Sequence, residues 1–77
     1  MSKTLGEKRT RIEFNPSNED YVFQLKAKGA ELIDFINEAA NKPSWDDETL
    51  GEWKRLKALA MTEIESGTSW AVKAATI

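Results

Sequence analysis

The chain has 77 residues, about the length of one small domain, and it contains neither cysteine nor histidine. Disulfides, thiolate metal sites and histidine-based ligands or general bases are therefore excluded. The formal net charge of −2 and the pI near 5.1 argue against a broad basic surface for DNA or RNA polymers. No apolar run approaches the roughly 20 residues of a membrane span, so we expect a soluble, intracellular single domain over residues 1–77.

The first eleven residues are basic, and the first eight lack helical periodicity. Residues 1–8 are polar with one glycine and read as a loose arm. Residues 9–14, with the sequence RTRIEF, alternate polar and apolar types from Arg11 onward, which favours an extended segment. We therefore predict an extended N-terminal arm over residues 1–14.

A long helix is predicted over residues 18–40. Ser17 is a candidate N-cap with Asp20 three residues later, a variant of the capping box. Apolar residues then follow helical spacing from Val22 to Ala40, and Pro43 cannot continue the helix.

A second helix is predicted over residues 45–76, with Ser44 as its N-cap. One stripe of this helix should face the first helix, and it consists of Trp53, Leu56, Ala60, Ile64, Gly67, Ala71 and Ala74. Leu59 with Trp70, and Met61 with Val72, flank that stripe and exceed what one partner helix covers. Because a core of this size supplies only roughly 3–5 kcal/mol, we predict an all-α, antiparallel two-helix hairpin assembled into a homo-oligomer.

The acidic residues do not form a catalytic arrangement. Glu31, Asp34 and Glu38 fall on the polar side of the first helix, where solvated faces and helix ion pairs explain them. The chain has no glycine-rich phosphate loop, no nucleophile paired with a base and no metal-ligand spacing. We therefore predict that the protein is not an enzyme and needs neither a cofactor nor a metal.

Two lysines of the first helix are candidates for binding an anion. Lys26 and Lys28 flank Ala27, and Lys26 lies near Phe23 on the helical wheel. An aromatic ring beside a lysine offers a stacking face and a phosphate partner. The alternative is that Phe23, Ala27 and Ala30 form a second helix contact while Lys26 is solvated, and the sequence leaves both readings open.

The outer face of the second helix is unusually small and uncharged, with Ala58, Thr62, Ser69 and Thr76. Such residues suggest contact with another chain or a ligand, although a weakly polar surface is the alternative. Lys73, beside Trp70, is the cation expected to matter in the last turns.

Three stretches carry a resemblance to a known family. They are RIEFNPS, LKAKGAELIDFI and RLKALAMTEIESGTSWAVKAAT, which together cover nearly the whole chain after residue 8. They resemble the small phage helical-hairpin proteins that sequester immune signalling nucleotides, namely the anti-CBASS cyclic-nucleotide sponges and the related anti-Thoeris sponges.

The resemblance implies a homohexamer that binds cyclic di- or trinucleotides, or cyclic ADP-ribose isomers, without cleaving them. It also implies a phage-encoded protein acting in the host bacterial cytoplasm. By the family pattern, Phe14 stacks on a base, Lys26 contacts a phosphate and Lys73 serves a second, central site. Arg11, close to Phe14, is then expected to cover the ligand.

Two other classes of function remain as alternatives. The first is an oligomeric helical-hairpin interaction module with no nucleotide ligand. The second is a DNA-binding protein, which the acidic pI and the lack of a basic recognition helix disfavour.

Overall fold

Three helices make up the described part of the protein. The computed structural model describes residues 2–13 and 20–77, which contain α1 (Leu5–Thr10), α2 (Asp20–Asn37) and α3 (Asp47–Ala75), with no strand. The predicted all-α class is therefore confirmed for these residues. The predicted base-stacking residue Phe14 and the predicted N-cap Ser17 lie outside the described residues.

The prediction of an extended arm was wrong, because residues 5–10 form α1. Thr4 caps this helix with a full capping box: its hydroxyl accepts from the Glu7 amide, and the Glu7 carboxylate accepts from the Thr4 amide. The helix ends at Arg11, which has the left-handed conformation at φ 54° and ψ 51°. The chain therefore turns sharply just before residue 12, where the sequence predicted an extended segment.

Within the described residues, α2 ends at Asn37 and not at the predicted residue 40, and α3 runs from Asp47 to Ala75 where 45–76 was predicted. The N-cap of α3 is Asp46, whose carboxylate accepts from the Thr49 amide, and not the predicted Ser44. At the end of α2, Lys57 of α3 donates to the carbonyls of Asn37 and Ala39, at 2.8 and 3.2 Å. A lysine from the neighbouring helix thus caps α2, whose last turn has no basic residue.

The helices α2 and α3 are antiparallel. Lys57 reaches residue 37, whereas Thr68 faces Gly29, so advancing along α3 moves backward along α2. The buried hydrophobic residues in the described part are Val22, Ala30, Ile33 and Met61. Met61 therefore packs inside the hairpin and not, as expected, against another subunit.

Two glycines lie where neighbouring helices approach each other closely. A Cβ on Gly6 would overlap the backbone carbonyl of Ala30, and a Cβ on Gly29 would overlap the Thr68 hydroxyl. Gly67, which the sequence suggested as a point of close helix packing, has no described neighbour within 4 Å of its would-be Cβ. The tight packing thus lies where α1, α2 and the end of α3 meet.

Within residues 2–13 and 20–77, no helix combines the length and the apolar character needed to cross a membrane.

Candidate functional site

A cavity of about 160 Å³ lies where the end of α1, the middle of α2 and the last turns of α3 come together. Three of its lining residues are cations and three carry hydroxyls; the described lining is Thr10, Arg11, Lys26, Thr68, Ser69, Val72 and Lys73. Residues from three separate parts of the sequence therefore form one basic cavity.

Lys26 is the most deeply placed of the three cations. Only 5% of its surface is exposed, and its ammonium donates to the backbone carbonyl of Arg11 at 3.1 Å. Burial, and secondly the neighbouring Arg11 guanidinium, lower the pKa of Lys26 below that of an exposed lysine. Buried cations beside like charges are costly to the fold, and such groups are more frequent at binding sites than elsewhere.

The other two cations lie at the mouth of the cavity. Arg11 is exposed and follows α1 in the left-handed conformation. Lys73 is also exposed, and its ammonium lies 4.6 Å from the centre of the Trp70 ring, which is itself 66% exposed. This cation–π contact places an accessible aromatic ring beside the cavity.

The hydroxyl groups of the lining have different roles. Thr10 donates to the carbonyl of Gly6 at 2.9 Å, and Thr68 donates to the carbonyl of Ile64 at 2.7 Å. These two hydroxyl protons are used within α1 and α3 and are not available to a ligand. The two threonines therefore contribute to the shape of the cavity wall. Ser69, on the exposed side of α3, adds a third hydroxyl at the mouth.

The structure brings together Arg11, Lys26 and Lys73 from the predicted site residues, and it separates two others from them. Lys28 lines an open groove on a different side of α2, together with Leu32 and Phe35. Phe23 lines another cavity, of about 320 Å³, between α1 and α2. Lys26 and Phe23 thus line different cavities, and their joint role at one site stays a prediction. The alternative of a solvated Lys26 was wrong, because only 5% of its surface is exposed.

Sequence reasoning missed Thr10, Thr68 and Val72 as lining residues. Thr10 was read as part of an extended segment, so its proximity to α3 was not foreseen. Thr68 lies next to Ser69, which belongs to the predicted outer face of the second helix. The signal that could have indicated Thr68 was Gly29, against which it packs. A glycine in the middle of a helix often marks a close neighbour.

Metal binding has no support in the part of the chain that is described. No group of three or more acidic, histidine or cysteine side chains lies close enough to hold an ion there. Three cations with hydroxyls are instead suited to an anion, because charge-assisted hydrogen bonds from Lys and Arg are the strong contacts to phosphate oxygens.

One family of known proteins matches most of the chain. No curated protein and no solved structure matches it significantly. The family model described as "Acb2/Tad1, hairpin domain" matches residues 7–76, which includes α2, α3 and the cavity-lining end of α1. The chain therefore belongs to the Acb2/Tad1 hairpin family.

Proposed function

We propose that this protein binds a cyclic di- or trinucleotide, or a cyclic ADP-ribose isomer, and sequesters it without cleavage. The observation that carries this proposal is the convergence of Arg11, Lys26 and Lys73 on one cavity in a member of the Acb2/Tad1 hairpin family. As a phage protein in the host bacterial cytoplasm, it would keep an immune signal from reaching the effector that the signal activates.

The size of the cavity indicates which part of the ligand it takes. Sites for whole small molecules usually occupy about 300–1,000 Å³, whereas this cavity measures about 160 Å³. A phosphate fits this volume, and the bases and sugars then lie outside it. The exposed Trp70 ring offers one stacking surface for a base, and we retain Phe14 as a second.

The chemistry of the lining supports binding without turnover. Lysine and arginine stabilise phosphate charge, but hydrolysis also needs an activated nucleophile or a metal-bound water. The chain has no histidine or cysteine to act as a base or nucleophile. The cavity thus suits capture of the ligand.

Calorimetry against a panel of cyclic di- and trinucleotides and cyclic ADP-ribose isomers tests the proposal. We expect at least one ligand to bind with a Kd below about 10 µM, equivalent to roughly −7 kcal/mol. We also expect the ligand to be recovered intact after incubation, as checked by chromatography. If no ligand of the panel binds with a Kd below about 10 µM, while circular dichroism shows that the protein is folded, the sequestration function is ruled out.

Self-association is a second part of the proposal, and the exposed apolar residues of α3 support it. Leu56, Leu59 and Trp70 are 46–66% exposed, although they are large and hydrophobic. The described fold is only 12 Å deep in its shortest dimension, so it has little interior in which to bury such residues. Burial of this face against other copies would supply the missing core, and we propose a homohexamer.

A charge placed on the exposed apolar face should break the assembly. We expect Leu59→Glu to reduce the molar mass measured by light scattering, because a carboxylate is costly to bury at an apolar interface. Ser44→Glu, which adds the same charge in the exposed connection between α2 and α3, serves as the control and should keep the wild-type mass. A monomeric wild type, or an unchanged mass for Leu59→Glu, contradicts the proposed interface.

A further inference from the structure

The N-terminal end of the short helix α1 is attached to α2 through Gly6. A six-residue helix is too short to be stable alone, so its contacts with α2 must hold it. The amide of Gly6 donates to the Asp34 carboxylate at 2.7 Å, across 28 residues of sequence. The absence of a side chain at Gly6 lets its backbone lie directly against the carbonyl of Ala30.

The other end of α1 contacts Lys26. The Thr10 hydroxyl, which is buried, donates to the Gly6 carbonyl at 2.9 Å and links the two ends of this helix. The next residue, Arg11, turns the chain in the left-handed conformation, and its carbonyl accepts from the Lys26 ammonium. α1 is thus held to α2 at two points, Asp34 and Lys26, which are two helical turns apart.

This arrangement connects a contact outside the cavity to the cation inside it. Asp34 is not among the described lining of the basic cavity, but it fixes the start of the helix whose end holds Lys26. If the start of α1 is released, the carbonyl of Arg11 loses its position as well, because a helix of six residues does not keep its shape without its contacts to α2. The Lys26 ammonium then loses the Arg11 carbonyl as an acceptor, and the wall of the cavity at Lys26 changes.

We propose that Gly6 and Asp34 are positioning residues, which fix α1 so that the Arg11 carbonyl holds the Lys26 ammonium at the wall of the basic cavity. The consequence for ligand affinity rests on the proposed function, whereas the placement of Lys26 does not. α1 is on this view part of the binding site and not a loose arm in front of it.

The first test measures Lys26 without any ligand. We titrate the ¹³Cε resonance of Lys26 by NMR in the wild type and in Asp34→Ala. In the wild type, burial and the Arg11 guanidinium hold the pKa of Lys26 below its usual value. Release of α1 reduces the burial of Lys26 and moves the Arg11 guanidinium away, while Thr68, Val72 and Lys73 of α3 remain, so the pKa of Lys26 should move upward in Asp34→Ala.

Two matched variants separate the hydrogen bond from other effects. Asp34→Asn keeps an oxygen that accepts from the Gly6 amide, so it should retain most of the lowered pKa of Lys26. Glu38→Ala removes an exposed carboxylate four residues after Asp34, just beyond the end of α2, and should leave the titration unchanged. An unshifted Lys26 in Asp34→Ala, or an equal shift in Asp34→Asn, overturns the proposal.

Gly6→Ala provides an independent route if Asp34→Ala does not fold. Its new Cβ must displace α1 from the Ala30 carbonyl, so the pKa of Lys26 should again rise while the ellipticity at 222 nm stays near the wild-type value. An unchanged pKa in folded Gly6→Ala contradicts the positioning role as well.

The second test measures ligand affinity for the same variants. For a cyclic nucleotide that the wild type binds, we expect Asp34→Ala to weaken binding at least about fivefold and Glu38→Ala to leave it unchanged. If the wild type binds no nucleotide, the proposed function fails, but the ligand-free titration of Lys26 still decides whether Gly6 and Asp34 position it.

Discussion

Replacing Lys26 by methionine should weaken binding of a cyclic nucleotide by about 10- to 100-fold, whereas the same replacement of Lys28 should leave it near the wild-type value. Both substitutions remove one positive charge from α2, two residues apart. Only Lys26 lines the basic cavity, while Lys28 lies on an open groove on another side of the helix. The charge-assisted contact that Lys26 would make is worth about 1.5–3 kcal/mol, which corresponds to the expected loss.

The fold should tolerate the loss of the Lys26 charge. Methionine keeps the length of the aliphatic stem, and removing a buried ammonium also removes the cost of desolvating it. The carbonyl of Arg11 loses its hydrogen bond from Lys26, which opposes that gain. We therefore expect the free energy of unfolding to change by less than about 2 kcal/mol, so that a loss of binding reports on the site.

Calorimetry with the tightest ligand of the panel, together with urea unfolding of both variants, measures these two effects. Equal losses of affinity in Lys26→Met and Lys28→Met would mean that general electrostatic attraction, and not the cavity, determines binding. Repeating the measurement at two salt concentrations checks this, because long-range attraction is screened by salt more strongly than a buried contact.

The sequence predicted the two long helices because their apolar residues repeat over many turns. The prediction of the helix boundaries was less accurate, because each boundary depends on a single capping residue. Ser44 and Asp46 are both good N-caps, and the structure uses Asp46. The end of α2 is satisfied by Lys57 from α3, a contact between residues 20 positions apart that no local pattern reveals.

The sequence carries one local signal for the short helix α1, the capping box at its start. Thr4 and Glu7 have the spacing of a capping box, but the six residues that follow Thr4 are too few to show helical periodicity, and Gly6 argues against a helix by propensity. The contact of Gly6 with the Ala30 carbonyl outweighs this preference. Tertiary packing, which the sequence does not display, therefore decides the structure of this segment.

The candidate site was predictable in its chemistry but not in its arrangement. The sequence indicates Lys26 because an aromatic residue and small residues lie beside it, and Lys73 because it lies beside Trp70 in the last turns, and the resemblance supports both. Their convergence with Arg11 depends on the antiparallel register of α2 and α3 and on the left-handed turn after α1. A wheel drawn for one helix placed Lys26 beside Phe23, whereas the packing of α1 against α2 separates them into different cavities.

Gly29→Ala should destabilise the protein, although alanine is the better helix former at an ordinary position. The new Cβ would overlap the Thr68 hydroxyl and lie 3.1 Å from the Thr68 methyl and 3.3 Å from the Thr10 methyl. Turning the Thr68 side chain exchanges one close atom for another, so the helices must move apart. Overpacking of this kind costs typically about 1–3 kcal/mol, against a gain of about 1 kcal/mol from helix propensity.

Gly51→Ala is the matched control, because it makes the same change in an exposed part of α3. No described atom lies within 4 Å of its would-be Cβ, so only the gain in helix propensity remains, and we expect stabilisation by up to about 1 kcal/mol. Urea unfolding followed by circular dichroism, at one protein concentration for all variants, measures both effects. Keeping the concentration constant is necessary because self-association contributes to the measured stability.

A double-mutant cycle with Thr68→Ala identifies the contact responsible. Thr68→Ala removes both the hydroxyl and the methyl that crowd Gly29, so Gly29→Ala should cost at least about 1 kcal/mol less in that background. The Thr68 hydroxyl bonds only to the Ile64 carbonyl of its own helix among the described contacts, and its loss is a modest separate term. Additive effects of the two substitutions would show that the clash of the new Cβ is not with Thr68. Coupled effects would tie the stability of the hairpin to the same junction that forms the wall of the basic cavity.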